Sequence, residues 1–108
     1  MRLLTKTNYD TVEELLKVNT SFANLDEPYK SAMKEITDFF KVPIYEEFLK
    51  LFYFERYKYK NRFPDNRAMI QYLCEKLYTS EPQLYTVRKE IVYKSAMIFY
   101  KYNINVLE

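Results

Sequence analysis

The chain of 108 residues contains no glycine, no histidine and no tryptophan, and only one cysteine. Each absence closes off a class of structure or chemistry. Without glycine, the positive-φ positions of tight hairpins, bulges and phosphate-cradling loops lose their usual occupant, which argues against a β-rich fold and against P-loop or dinucleotide fingerprints. Without histidine, the commonest general base is missing and neither a Ser-His-Asp nor a Cys-His arrangement can be built. One cysteine and no histidine cannot supply the three or four protein ligands of a zinc site, so no metal and no cofactor is expected. A lone cysteine also forms no internal disulfide, in keeping with a reducing compartment. No run approaches 18 apolar residues and the first residues hold no apolar stretch of signal length, so the sequence predicts a cytoplasmic chain with no membrane span.

What is present is ordinary globular material with an aromatic excess. Hydrophobic residues make up 48% and charged residues 30%, with twelve tyrosines and eight phenylalanines. This composition is far from that of a disordered chain, and the length suits one domain spanning 1–108. Phe, Tyr, Met, Ile, Asn and Lys account for 49 residues and Gly, Ala, Arg and Pro for 13, the bias of an AT-rich genome such as that of a low-GC bacterium, its phages or mobile elements.

Turns built from Asn, Asp, Ser and Pro favour a string of helices, and apolar spacing predicts five, over about 12–23, 27–41, 44–61, 66–79 and 81–102. Thr11 with Glu14 reads as a capping box opening the first, and Glu13-Glu14 then fall in its first turn. Asp26 caps the second, with Pro28 in its first turn, and Val42-Pro43 stops it. The third is apolar nearly all round, the mark of a central helix or of one with a face kept for a partner. Ser80 with Gln83, and Pro82 between them, opens the fifth, which Asn103 ends. The predicted fold is therefore an all-α compact bundle of about five helices with helices 3 and 5 central. Cys74, between Leu73 and Leu77, reads as a core residue.

Paired acids such as Glu13-Glu14 and Glu46-Glu47 point about 100° apart on a helix and do not converge, so they are read as charges at helix starts and the chain as no enzyme. Residues 1–54 carry a net charge of −2 and residues 55–108 a net charge of +4. The basic and aromatic residues Arg56, Tyr57, Lys58, Tyr59, Lys60 and Arg62, followed by Arg67, are the candidate contact site, where cations could meet phosphates and tyrosines could stack on bases. The competing reading is a solvated helix end, with Tyr57 packed into the bundle. A helix-turn-helix across helices 3 and 4, with helix 4 as the reading helix, is also open. Tyr, Phe and Met are enriched at protein interfaces, so the first functional expectation is a protein partner or self-association, as an inhibitor, adaptor or regulator. The alternative is a nucleic-acid-binding regulator using 56–67.

Overall fold

In the computed structural model, which describes residues 4–18, 25–59 and 62–106, five helices follow one another and no strand occurs among the described residues. Helix α1 is Lys6–Val18, α2 is Tyr29–Phe39, α3 is Pro43–Phe48, α4 is Asn66–Leu77 and α5 is Glu81–Lys101. Of the described residues, 77% are helical.

Helix α5, 21 residues long, is the hub, packing against α1, α2, α3 and α4. Its inner face buries Leu84, Val87, Ile91, Val92, Ile98 and Phe99. The second centre is the segment following α3. There the chain leaves α geometry for a π-helical turn, Leu49–Phe54, closed by the Glu55 N–H donating to the Lys50 carbonyl at 2.7 Å, and then for a 3₁₀ turn, Arg56–Tyr59. One continuous helix over 44–61 is thus corrected to three pieces.

The cause is the aromatic load. Phe48, Leu49, Leu51, Phe52 and Tyr53 are all buried, and at 100° per residue an α-helix would aim several of them at solvent. A five-residue repeat instead brings Phe48 and Tyr53 onto one side, where their rings meet edge to face at 5.9 Å. Phe48 stacks on Phe52 at 4.8 Å. The expectation that helices 3 and 5 form the centre holds in this altered form.

Two helix starts differ from expectation. Helix α1 begins at Lys6, with the Thr5 hydroxyl accepting from the Asn8 N–H at 3.1 Å. Thr11 lies inside the helix and donates to the Thr7 carbonyl, so Glu13 is a mid-helix residue, and it is buried. Residues 19–23 of the predicted first helix lie outside the described residues. Helix α2 begins at Tyr29 with Pro28, after a cis peptide bond, at the N-cap position. No side-chain cap forms there, and the Glu27 carboxylate, not Asp26, accepts from the Ser31 N–H.

Helix α4 is capped by Asp65, whose carboxylate accepts from the Ala68 N–H at 2.9 Å. It ends at Leu77, two residues earlier than predicted, because Tyr78 turns left-handed (φ 54°, ψ 51°). The Thr79 N–H then reaches back to the Cys74 carbonyl at 3.0 Å, the six-to-one bond of a Schellman stop. Ser80 caps α5 as predicted, its Oγ accepting from the Gln83 N–H at 3.3 Å. Asn103 follows the end of α5 with φ 62°.

Candidate functional site

Among the predicted contact residues that are described, Tyr57, Lys58, Arg62 and Arg67 are exposed, and Arg56 and Tyr59 are half-buried. Arg56 turns inward: Nη2 donates to the Asn66 side-chain oxygen, the guanidinium lies 4.7 Å from the Phe52 ring centroid, and Nη1 is buried without a hydrogen-bond partner. Lys58 pairs with Glu55 at 3.0 Å. Tyr59 belongs to a three-ring cluster with Phe63 and Tyr72, and the Arg62 guanidinium lies over all three rings, 5.3–5.8 Å from their centroids. Arg67 is 3.9 Å from Glu81. Lys60 lies outside the described residues.

Tyr57 is 68% exposed, which corrects the expectation that it packs in the bundle. The 3₁₀ turn causes this, because it places residue 57 on the outer side while 56 and 59 face inward. The segment therefore works locally as a corner post. Arg56 ties the 3₁₀ turn to the first residue of α4, and the aromatic cluster joins Tyr59 and Phe63 to Tyr72 of α4.

The strongest polar arrangement lies elsewhere, and the sequence reading missed it. Arg88 of α5 donates from Nε and Nη2 to the two carboxylate oxygens of Glu13 on α1, at 2.8 and 2.7 Å. The buried Tyr53 hydroxyl donates to the same carboxylate at 2.7 Å. Burial by itself raises the Glu13 carboxyl, but the hydrogen bonds from Arg88 and Tyr53 and the charge of Arg88 outweigh it and hold the group below its ordinary value. Burial beside this carboxylate pushes the Tyr53 phenol well up, and burial is also the main cause that brings Tyr9 to about 12.

Chemically this is a fastener. A carboxylate held ionised, with both oxygens engaged by three donors, is a weak proton acceptor and presents nothing to a substrate. The one signal in the sequence was Glu13 standing between Val12 and Leu16 on the apolar face of α1. Cys74 is half-buried, and burial followed by the nearby carboxylates of Glu81 and Glu75 raises its thiol, away from thiolate reactivity.

An open depression between α2 and the end of α5 is lined by Ser31, Lys34, Glu35, Asp38 and Tyr102. Its central carboxylate, Glu35, already accepts from Lys101 and from the Tyr102 hydroxyl, each at 2.8 Å. Among the described residues no group of three or more His, Cys, Asp or Glu side chains converges to hold a metal ion, and no helix is long and apolar enough to cross a membrane.

Several large apolar side chains stand in solvent. Phe39 at the end of α2 is 56% exposed, and Met97 and Tyr100 on α5 are 49% and 67% exposed. The Lys94 ammonium sits 4.4 Å from the Phe39 ring centroid, so Phe39 borders α5 one turn before Met97. Around it lie charges of both signs, Lys94 and Lys101 with Glu35, Asp38 and Glu90.

Between α3 and α4, where a helix-turn-helix is an open reading, the described residues form the aromatic corner, and residues 60 and 61 lie outside the described residues. The tight connection is one helix later, where only Tyr78, Thr79 and Ser80 separate α4 from α5. No family model matches the chain, and comparison with curated proteins and with solved structures finds no match.

Proposed function

We propose that the chain is a small non-enzymatic cytoplasmic regulator that works by protein–protein contact, and that the first occupant of its apolar patch is a second copy of itself. The carrying observation is the set of exposed apolar side chains Phe39, Met97 and Tyr100, left uncovered while the strongest polar groups nearby, Glu35 with Lys101 and Glu13 with Arg88, are paired with one another. Phenylalanine, methionine and tyrosine are the side chains that interfaces favour. A twofold contact must be complementary to itself, so each charge at its rim has to meet the opposite sign on the other copy. Lys94 and Lys101, with Asp38 and Glu90, supply both signs near the patch.

Sedimentation velocity over a concentration series tests this reading. The wild type should dimerise with a micromolar dissociation constant, about −8 kcal/mol. Met97→Glu should be monomeric with an unchanged helical spectrum. A wild type that stays monomeric to about 1 mM, where association is weaker than about −4 kcal/mol, overturns it.

A further inference from the structure

The aromatic corner holds a cation in an arrangement that packing alone does not require. The Arg62 N–H donates to the Tyr59 carbonyl at 3.0 Å, a turn that carries the Arg62 side chain back over Tyr59. The ring centroids of Tyr59, Phe63 and Tyr72 stand 5.2–6.1 Å from one another, with their planes tilted by 41–49°. The guanidinium is 5.8, 5.7 and 5.3 Å from those three centroids. A point almost equally far from three corners lies near the axis through the middle of their triangle, so the cation caps the cluster and does not rest on one ring. Arg62 is exposed while the three aromatic residues are half-buried, so this cap lies on the solvent side.

The rings, and not a counter-ion, hold charge there. A second cation, the Lys76 ammonium, stands 6.0 Å from the Tyr72 centroid. Among the described residues neither Arg62 nor Lys76 forms an ion pair with a carboxylate. The attraction therefore comes from the negative faces of the rings. For an exposed cation that attraction is weak, because water competes for the charge. Arg62 is thus an occupant that exchanges with solvent, and what it leaves is a three-ring bowl.

We infer that the Tyr59–Phe63–Tyr72 bowl binds a quaternary ammonium group, with Arg62 as its intramolecular occupant until that ligand displaces it. The donor count selects this class. A primary ammonium carries three N–H donors, and no carboxylate is paired with either cation here to accept them. A trimethylated ammonium has no donor to satisfy, and its methyl groups pack against several ring faces at once. The inference is independent of the pairing reading, since no ring of the bowl belongs to the Phe39, Met97 and Tyr100 surface.

The test is a nuclear magnetic resonance titration of the full chain that follows the ring protons of Tyr59, Phe63 and Tyr72. The probes are choline, its uncharged isostere with a tert-butyl group in place of trimethylammonium, and a short peptide carrying either trimethyllysine or unmodified lysine. Choline should shift those three rings with a millimolar dissociation constant and leave Phe39 and Tyr100 unmoved, and the isostere should bind at least tenfold more weakly. Arg62→Ala empties the bowl and should tighten choline binding at least threefold. Phe63→Leu and Tyr72→Leu keep apolar bulk but remove a ring, and each should weaken binding at least threefold, with melting curves to verify folding. A trimethyllysine peptide bound more tightly than choline assigns the cation to a protein partner, and the reverse order assigns it to a free small molecule. Four outcomes overturn the inference: no shift of the three rings by choline in wild type or Arg62→Ala, equal binding of choline and its isostere, equal binding of the two peptides, or wild-type affinity in the folded leucine variants. The isostere comparison uses the wild type alone, so it stands whichever variants fold.

Discussion

Replacing Glu13 by alanine removes the counter-ion of Arg88 and the acceptor of Tyr53 at one stroke. The Glu13 side chain is 6% exposed and that of Arg88 17%, so water compensates neither loss. The guanidinium left behind sits 5.1 Å from the centroid of the Phe52 ring, and Arg56 lies 4.7 Å from the same ring. Two like charges would then sit beside one ring with no carboxylate to offset them. Removing one member of a buried pair costs about 3–5 kcal/mol, out of a total stability of about 5–15 kcal/mol. At about 4 °C per kcal/mol for a domain of this size, the midpoint should fall by about 12–20 °C. The double substitution of Glu13→Leu with Arg88→Met leaves neither charge uncompensated and should regain about 1–4 kcal/mol of the loss. Urea denaturation followed by circular dichroism measures all three proteins. A single substitution costing less than about 1 kcal/mol, or a double no more stable than the single, would refute the view that this pair clamps α1 to α5.

Tyr78→Gly should stabilise the fold by about 1 kcal/mol, because a left-handed tyrosine carries a Cβ clash that glycine lacks; a loss of stability in denaturant would contradict this. The Glu13 carboxyl is held below its unfolded value near 4.5, so its contribution is fully present above that pH and is lost as pH falls through the lower folded value. Tyr9, raised to about 12, and Tyr53, raised well above 10, act in the opposite sense. Their contribution is present below pH 10 and fades as pH climbs past it, so a spectrophotometric titration of the native protein should leave some tyrosines unionised until the chain unfolds. Full titration of all twelve near pH 10 with the fold intact would count against the network. Tyr57→Ala should change stability by less than about 0.5 kcal/mol, as for other exposed side chains, whereas Tyr59→Ala, which opens the Phe63–Tyr72–Arg62 cluster, should cost about 1–3 kcal/mol; equal effects would be inconsistent with the 3₁₀ turn.

The parts of this fold legible in the sequence were those written in local side-chain–backbone bonds. Ser80 with Gln83 located the start of α5 to the residue. Helix α1 was misplaced because Thr5 and Thr11 are both competent caps. Glu14 three residues after Thr11 pointed to the wrong one, and only the observed Thr5–Asn8 bond decides between them. The π turn after α3 was invisible because no residue in Leu49–Phe54 prefers it. It arises from the demand to bury five large side chains among six consecutive residues. Glu13 and Arg88 are 75 residues apart, and nothing local to either names the other. The end of α4 was placed two residues late because Tyr78, and no glycine, takes the left-handed position that stops it.

Hydrogen exchange of the full chain at low and at high protein concentration tests most directly the claim that function is carried by the apolar patch of α2 and α5 rather than by the basic segment between them. The account predicts exchange slowed at high concentration in peptides covering Phe39 and residues 94–101, with peptides covering Arg56 to Lys58 unchanged. Protection centred on Arg56, Tyr57 and Lys58, with none at Phe39 or Met97, would contradict it.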